Sequence, residues 1–270
     1  MTFRLLATRA GRRGITGAPA GAVVAAAVVL AVSACGGSGQ PAAQITRPPA
    51  KPAHAAQAKA LTAQAPRQAP GVTEVATIVT AAPKYARPGV REAGSVPLSW
   101  WNRQSVLPVL QTAPGWVRVR LAQRPNGSTA WVRASDVTLG ATPYRIVVDL
   151  ATTHLRLYDR DRLVMSAPAG VGAVGDPTPT GDYFVAFDEQ PPQPNPGYGP
   201  FIVVTSDHST TIADWERSGD AIIGIHGPLG DDAEIGTTGA RISSGCVRLH
   251  VKALTQLADV PPGTPIDVIG

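Results

Sequence analysis

With 270 residues, the chain is long enough for one large or two small domains. Its formal net charge of +5 would suit a nucleic-acid-binding protein, but the excess of basic residues lies near the N-terminus. Residues 1–73 hold eight Arg and Lys and no acidic residue, so residues 74–270 carry a net charge of −3. This distribution argues against a basic nucleic-acid-binding face, and we expect no nucleic-acid partner.

The N-terminus has the pattern of an export signal. An Arg-rich start precedes an apolar run from Ala20 to Val32, which is too short to span a bilayer comfortably and favours a signal peptide over residues 1–34. The end of this run, Val32-Ser33-Ala34-Cys35, resembles the lipobox of bacterial lipoproteins, in which the cysteine is lipidated and becomes the first residue. The alternative is ordinary cleavage near Ala34 with an incidental cysteine. The lipoprotein interpretation predicts a lipid-anchored protein in the cell envelope, on the outer face of the cytoplasmic membrane.

Only two cysteines occur, Cys35 and Cys246. A disulfide between them is one explanation, but a lipid thioether on Cys35 would prevent that bond. Cys246 would then be a lone thiol in an oxidising compartment, which marks it as a candidate reactive group.

Two segments follow the export signal. Residues 35–73 begin with the predicted lipidation site and contain no aromatic or acidic residue, which predicts a disordered Ala/Pro linker. Residues 74–142 contain four of the five Trp and several short apolar alternations, and residues 116–132 are expected to form a hairpin around Asn126-Gly127. The strand sequences Trp116-Val117-Arg118-Val119 and Ala130-Trp131-Val132-Arg133 resemble bacterial SH3-like modules, which implies a small β-barrel for positioning or wall contact. An unrelated small β-barrel is the alternative.

Residues 143–270 are expected to form a second, mostly β domain with a sandwich or barrel plan. One helix is predicted near Val251–Val260, where Pro261-Pro262 would stop it. Alternating or apolar runs predict seven strands, at 145–150, 155–158, 163–167, 183–187, 201–205, 221–225 and 265–269.

The residue types around Cys246 suit nucleophilic catalysis. A cysteine nucleophile needs a base or a cation that favours the thiolate, and His226 can supply it. Gly245 would let a substrate approach the backbone and leave N–H groups facing an oxyanion. On a strand, Arg248 would lie on the same face as Cys246, where it could favour the thiolate or hold a substrate carboxylate.

Each of these residues also has a plainer interpretation. Cys246 could be a small core residue and His226 a hydrogen-bonded core histidine. His250, four residues after Cys246, is a competing base, whereas His208 and His54 are not expected to be catalytic. A zinc site would need Cys246, His226, His250 and an acid such as Asp231, and that pattern is weak, so we expect no metal and no cofactor.

The combination of motifs, rather than any one of them, identifies a family. His226-Gly227 followed by Ser243-Ser244-Gly245-Cys246-Val247-Arg248 resembles the signature of the L,D-transpeptidase (YkuD-type) family, and Thr178-Pro179-Thr180-Gly181 resembles a segment that the family carries upstream. The resemblance covers residues 143–270 and implies a β-sandwich catalytic domain. Ser244 departs from the pattern, because many members have His there, and a second imidazole is therefore absent from this motif.

The resemblance implies a reaction on peptidoglycan stem peptides. Cys246 would form a thioester with residue 3 of a tetrapeptide and release D-Ala, and the amine of a second stem would then form a 3→3 crosslink. His226 would be the proton donor and acceptor, oriented by the Gly227 carbonyl. Substrate or oxyanion contacts are expected from Ser243, Ser244, Gly245, Cys246 and Arg248, and from Tyr198, which lies in a Pro-rich segment that forms either a stiff surface loop or a lid. Carbapenems are the expected covalent inhibitors.

Three alternatives remain open at this point. Water as the acceptor would make the protein an L,D-carboxypeptidase, and a protein amine would make it a wall-anchoring enzyme. A non-catalytic lipoprotein that binds the wall through the SH3-like module is a third possibility.

Overall fold

The computed structural model describes residues 71–191, 195–215 and 217–270. The regular structure in these ranges consists of eighteen β-strands, three 3-10 turns and one short α-helix, α1 (Val251–Leu254). The prediction of a mostly β chain with a helix in its C-terminal region is therefore confirmed. None of the described helices is long and apolar enough to cross a membrane. The predicted signal peptide, Cys35 and the predicted linker up to residue 70 lie outside the described residues.

Nine strands lie between residues 73 and 142, and the first of them begins at the last residue of the predicted linker. They are β1 (Thr73–Ile78), β2 (Ala82–Arg87), β3 (Val90–Val96), β4 (Ser99–Trp100), β5 (Arg103–Gln104), β6 (Val106–Ala113), β7 (Trp116–Arg120), β8 (Thr129–Arg133) and β9 (Val137–Thr142). Strands β4 and β5 pair with each other, and the other seven form an antiparallel sheet in the order β3-β2-β8-β7-β6-β1-β9.

The hairpin expected at 116–132 is present as β7 and β8. Val117 faces Val132 and Val119 faces Ala130 across the pair, and these four side chains are buried. Trp116, Arg118 and Arg120 alternate with the two valines and are partly exposed. The period of two in the sequence therefore corresponds to one buried and one open face. The assignment of this sheet to the SH3-like modules stays a prediction.

The second sheet is built from nine strands. They are β10 (Tyr144–Asp149), β11 (His154–Asp159), β12 (Arg162–Gly172), β13 (Gly181–Glu189), β14 (Ile202–His208), β15 (Ile222–His226), β16 (Arg241–Ser243), β17 (Val247–Leu249) and β18 (Pro265–Ile269). Their order is β11-β10-β18-β13-β14-β15-β17-β12-β16, and β11 pairs additionally with β12, so the sheet closes on itself. It encloses an apolar core to which helix α1 contributes Ala253 and Leu254.

Two features hold the sheets together. Phe184 of β13 is buried in the apolar cluster of the first sheet, beside residues such as Val117 and Val132. The loop between β7 and β8 supplies polar contacts, because Arg124 bonds the carbonyls of Ser209 and Ile212 and pairs with Asp220. The end of β14 and the loop after it are thus fastened to the first sheet.

Candidate active site

Parallel pairing of β15 and β17 brings the two predicted catalytic side chains together. Ile225 lies opposite Val247 and His226 lies opposite Arg248, and Cys246 directly precedes β17. Residues opposite each other, and residues two apart on a strand, share a face of the sheet. Cys246, His226 and Arg248 therefore share one face, as predicted.

A backbone donor from β15 reaches the sulfur of Cys246. The Gly224 N–H donates to Sγ at 3.4 Å. Gly224 has no side chain on the face it shares with Cys246 and His226, which leaves room for the sulfur beside the strand. An N–H aimed at sulfur stabilises the negative charge of a thiolate. Sequence reasoning missed this residue, because only the parallel register places it beside the cysteine.

The ring of His226 is held in one orientation. Its Nδ1 lies 2.7 Å from the carbonyl oxygen of Gly227, and since a carbonyl can only accept, Nδ1 carries the proton. This is the contact predicted for Gly227. Nε2 is left as the proton acceptor of the neutral ring, and it is buried without a hydrogen-bond partner among the described residues. Burial lowers the pKa of His226 to about 3, with a further decrease from the charge of Arg248 and an opposing increase from the bond to Gly227. The imidazole is therefore neutral near pH 7.

The segment after His226 packs so closely that it requires glycine. A Cβ on Gly227 would lie 2.7 Å from the Gly197 carbonyl oxygen, and the Gly227 N–H donates to the Tyr198 carbonyl at 2.7 Å. Tyr198 itself is buried and meets the His226 ring edge to face, with centroids 4.9 Å apart. The structure thus places this predicted substrate contact against the base, where it supports the imidazole ring.

Ser243 and Thr178 fix the turn that presents the cysteine. Ser243 Oγ donates to the Cys246 carbonyl at 2.5 Å and accepts the Gly245 N–H at 3.2 Å. Thr178 Oγ1 donates to the Gly245 carbonyl at 2.7 Å and accepts the Gly172 N–H at 2.9 Å. Gly245 has φ +114°, a conformation that favours glycine. The predicted upstream segment therefore meets the cysteine turn through Thr178, a contact that the motif alone did not assign.

These contacts change two of the predicted roles. The Gly245 N–H, predicted as an oxyanion donor, donates instead to Ser243 Oγ within the turn. Ser243 is buried inside the turn and stabilises it, whereas Ser244 is half-buried.

Arg248 is predicted from the sequence to hold a substrate carboxylate. It is fully buried, and its guanidinium forms an ion pair with Asp231. The predicted contact of Arg248 with a substrate carboxylate stays a prediction, and the described structure shows an internal carboxylate as its partner. The sequence suggests Asp231 only as a metal ligand. Its position in the loop after β15 gives no signal that it pairs with Arg248.

His250 and His208 each pair with an acidic residue of their own. His250 Nδ1 is 3.0 Å from Asp232 on a partly exposed surface, and His208 is buried and 2.9 Å from Asp220. The described residues contain no group of three His, Cys, Asp or Glu side chains that could hold a metal ion.

The thiol of Cys246 and the imidazole of His226 are both shielded from solvent, since each residue is 0% exposed. Cys246 belongs to an apolar cluster with Phe187, Tyr198 and Val204, and Trp100 and Trp215 pack against it. A dry surrounding strengthens electrostatic interactions at the sulfur and keeps water from a thioester. It also means that side chains must move before a substrate reaches Sγ.

Known proteins match the second sheet. Residues 143–268 match the family model described as the L,D-transpeptidase catalytic domain, YkuD. A protein of Bacillus licheniformis named as an L,D-transpeptidase, YkuD, is 37% identical over 127 residues, and its namesake from Bacillus subtilis is 33% identical. Each match spans 47% of this chain and 66% of the relative. Among solved structures, the catalytic domain of an E. faecium L,D-transpeptidase acylated by ertapenem is 22% identical, with 47% of this chain and 98% of that chain covered and a TM-score of 0.35.

The family match covers nearly all residues of the closed sheet, together with the His226-Gly227 segment and the Cys246 turn. Residues 143–268, slightly less than half of the chain, are therefore similar to the L,D-transpeptidase catalytic domains that the YkuD family model describes.

Proposed function

We propose that the protein is a peptidoglycan L,D-transpeptidase that works through a thioester on Cys246. The observation that carries this proposal is the pairing of β15 and β17, which sets the thiol and a neutral, oriented imidazole on one face. The similarity of residues 143–268 to L,D-transpeptidase catalytic domains supports acyl transfer as the type of reaction.

The first half-reaction forms the acyl-enzyme. Nε2 of His226 takes the thiol proton, and the sulfur attacks the carbonyl carbon of residue 3 in a stem tetrapeptide. The Gly224 N–H stabilises the thiolate before attack, and the Cys246 N–H holds the oxyanion that develops. One such donor typically contributes about 3 kcal/mol to transition-state stabilisation. Nε2 then gives its proton to the leaving amine, the amide bond breaks, and D-Ala departs.

The second half-reaction resolves the thioester. The side-chain amine of another stem attacks the same carbonyl, Nε2 accepts the amine proton, and the sulfur leaves and regains a proton. The product is a 3→3 crosslink and free enzyme. If water takes the place of the amine, the product is a tripeptide, and if a protein amine does, the product is an anchored protein.

A carbapenem would acylate the same thiol. Attack of Sγ on the lactam carbonyl opens the four-membered ring, and the ring nitrogen stays attached to the acyl group, so no leaving group departs. The adduct should therefore persist on Cys246.

We also propose that the enzyme acts outside the cytoplasmic membrane, anchored by a lipid on Cys35. The Arg-rich start, the short apolar run and the lipobox-like Val32-Ser33-Ala34-Cys35 support this location. Metabolic labelling with a palmitate analogue should mark the wild-type protein, and Cys35→Ser should abolish the label.

The test of the proposed activity uses the full chain and a disaccharide tetrapeptide. Wild-type protein should give free D-Ala and a crosslinked dimer, both seen by mass spectrometry. Cys246→Ala should abolish both, and His226→Asn should lower the rate by at least about 100-fold, as expected for loss of a positioned base. His250→Asn is the matched control and should retain activity. Dimer formation by Cys246→Ala would refute the proposal, and a wild-type protein that releases no D-Ala would favour the non-catalytic alternative.

A further inference from the structure

The ribbon of β4 and β5 carries two adjacent tryptophans that contact the second sheet from outside the family domain. We propose that Trp100 and Trp101 form a sugar-binding platform, which holds the N-acetylated amino sugar that bears the donor stem peptide. This inference rests on the proposed function, because it assigns a site to a further part of the same substrate.

Trp101 has a positive φ in the turn between β4 and β5, and the pairing of these two strands alone does not account for a tryptophan there. Ser99 pairs with Gln104 and Trp100 with Arg103, which leaves Trp101 and Asn102 as a two-residue turn with φ of 51° and 61°. Such turns favour Asn and Gly, and a bulky residue at positive φ is an uncommon, strained choice. Strain of this kind persists where the surrounding structure enforces it, often at ligand sites.

Contacts with the second sheet orient both rings. The Trp100 and Trp101 centroids are 5.3 Å apart, and they lie 5.8 Å and 5.9 Å from the ring of Phe187. Phe187 is buried, so it anchors the pair, while Trp101 stays 39% exposed. An oriented, partly exposed indole suits the apolar C–H face of a sugar ring.

Polar groups border the platform. Arg103 follows the turn and forms an ion pair with Glu189 at 3.5 Å, and both side chains are partly exposed. They offer charged donors and acceptors for the hydroxyl and acetamido groups of an amino sugar. An aromatic face with a few polar groups is the usual composition of a small-ligand site.

The strand register sets the distance from Phe187, which both indoles contact, to Cys246. Phe187 lies opposite Val204, Val204 lies opposite Gly224, and the Gly224 N–H contacts Cys246 Sγ. This row crosses three strand spacings of about 4.8 Å each, or roughly 14 Å in total.

The donor stem has a matching length. Three extended residues, from the sugar-linked end to the carbonyl of residue 3, reach roughly 10 Å, and the short acid that joins peptide to sugar adds a few ångströms more. When that carbonyl is at Sγ, the amino sugar is thus about as far from Cys246 as Phe187 is, the residue that both indoles contact. The ribbon of β4 and β5 would then select donors that are still attached to glycan.

The test compares two donors on the full chain: the free tetrapeptide and the same tetrapeptide on its disaccharide. D-Ala release should show a kcat/KM roughly three- to tenfold higher for the disaccharide form, the range that one aromatic stacking contact provides. Trp101→Ala should remove this advantage and leave the free tetrapeptide unchanged, and Trp101→Phe should restore part of it. Leu110→Ala, a similarly exposed apolar change on strand β6, should leave both donors unaffected.

Three outcomes would overturn the inference. Trp101→Ala could lower both donors equally, could leave the disaccharide advantage intact, or could change the sedimentation of the protein, which would assign the tryptophans to self-association. Failure of the proposed function is distinguishable, because wild-type protein would then release no D-Ala from either donor. In that case, titration with the peptide-free disaccharide tests the sugar-binding platform directly. The platform is supported if the disaccharide quenches the tryptophan fluorescence of wild-type protein and Trp101→Ala abolishes the quenching. It is refuted if wild-type protein shows no quenching.

Discussion

At the scale of single residues, the buried state of His226 has a measurable consequence for stability. Burial lowers the pKa of His226 to about 3 in the folded protein, against about 6.5 in the unfolded chain. Between these values the unfolded state binds the extra proton, so folding stability must fall as the pH decreases from about 6.5 towards 3. The contribution of His226 is fully present above pH 6.5.

His226→Asn should therefore weaken this dependence. Urea unfolding at a series of pH values between 3 and 7 should show a shallower loss of stability in the variant than in wild-type protein. Carboxylates also contribute to the pH dependence of the unfolding free energy, but their contribution is the same in the variant and in wild-type protein. Asp149 is an example, because hydrogen bonds from Thr152 lower its pKa to about 2. Gln111→Ala, at an exposed position of the first sheet, should keep the wild-type slope because it changes no titratable group. Equal slopes for His226→Asn and wild type would contradict the burial of a neutral imidazole.

The sequence contained enough to select Cys246 and His226, because the motif needs a thiol, an imidazole and glycines in a fixed order. The sequence did not reveal which residues Arg248 and the Gly245 N–H contact. Asp231 neutralises Arg248, and that pairing depends on how the loop after β15 folds back. The Gly245 N–H is likewise occupied by a side chain two residues earlier, a detail of turn geometry that spacing does not reveal.

At the scale of elements, the seven strands predicted for residues 143–270 are all present, as is the helical start at Val251. The two strands that flank the cysteine turn, Arg241–Ser243 and Val247–Leu249, were not predicted. Three residues are too few for a period of two to be recognised. These short strands form because β12 and β15 pair with them, a tertiary effect that is absent from the local sequence.

The loop between β7 and β8 is an element whose function is visible only in the fold. Its Asn-Gly sequence predicts a turn, yet Asn126 also bonds the second sheet: Nδ2 donates to Asp207 Oδ1 at 3.0 Å and to the His208 carbonyl at 2.8 Å, and Oδ1 accepts the His208 N–H at 3.0 Å. Asp207 is buried, and this burial raises the pKa of its carboxyl well above the usual value.

Asn126→Ala should destabilise the protein by roughly 2–4 kcal/mol, because it leaves several buried polar groups without partners. Urea unfolding measures the loss. Hydrogen exchange should localise it, with faster exchange at the amides of residues 205–212. Gln111→Ala, on an exposed position of the same sheet, should have little effect. Unchanged stability in Asn126→Ala would show that water replaces all three bonds.

At the scale of the whole molecule, the two sheets share apolar side chains. Phe184 belongs to a strand of the second sheet but is buried in the core of the first. Its neighbours on β13, Tyr183 and Val185, pack into the core of the second sheet. One strand therefore contributes to both cores, and loss of either core should disturb the other.

We expect the residues that form the two sheets to unfold in one cooperative transition. Tryptophan fluorescence monitors mainly residues 74–142, which hold four of the five Trp, and thiol labelling of Cys246 monitors the second sheet. In the Cys35→Ser protein, whose only thiol is Cys246, the two probes should give the same midpoint in urea.

Adding Phe184→Ala to this protein should lower both midpoints together, because the cavity left by the ring costs about 3–5 kcal/mol of stability. Leu163→Ala, at a half-exposed position, should leave both midpoints nearly unchanged. Separate midpoints in the Cys35→Ser protein without a further change would show that the two sheets unfold independently. Cys246 would then keep its buried environment without the first sheet.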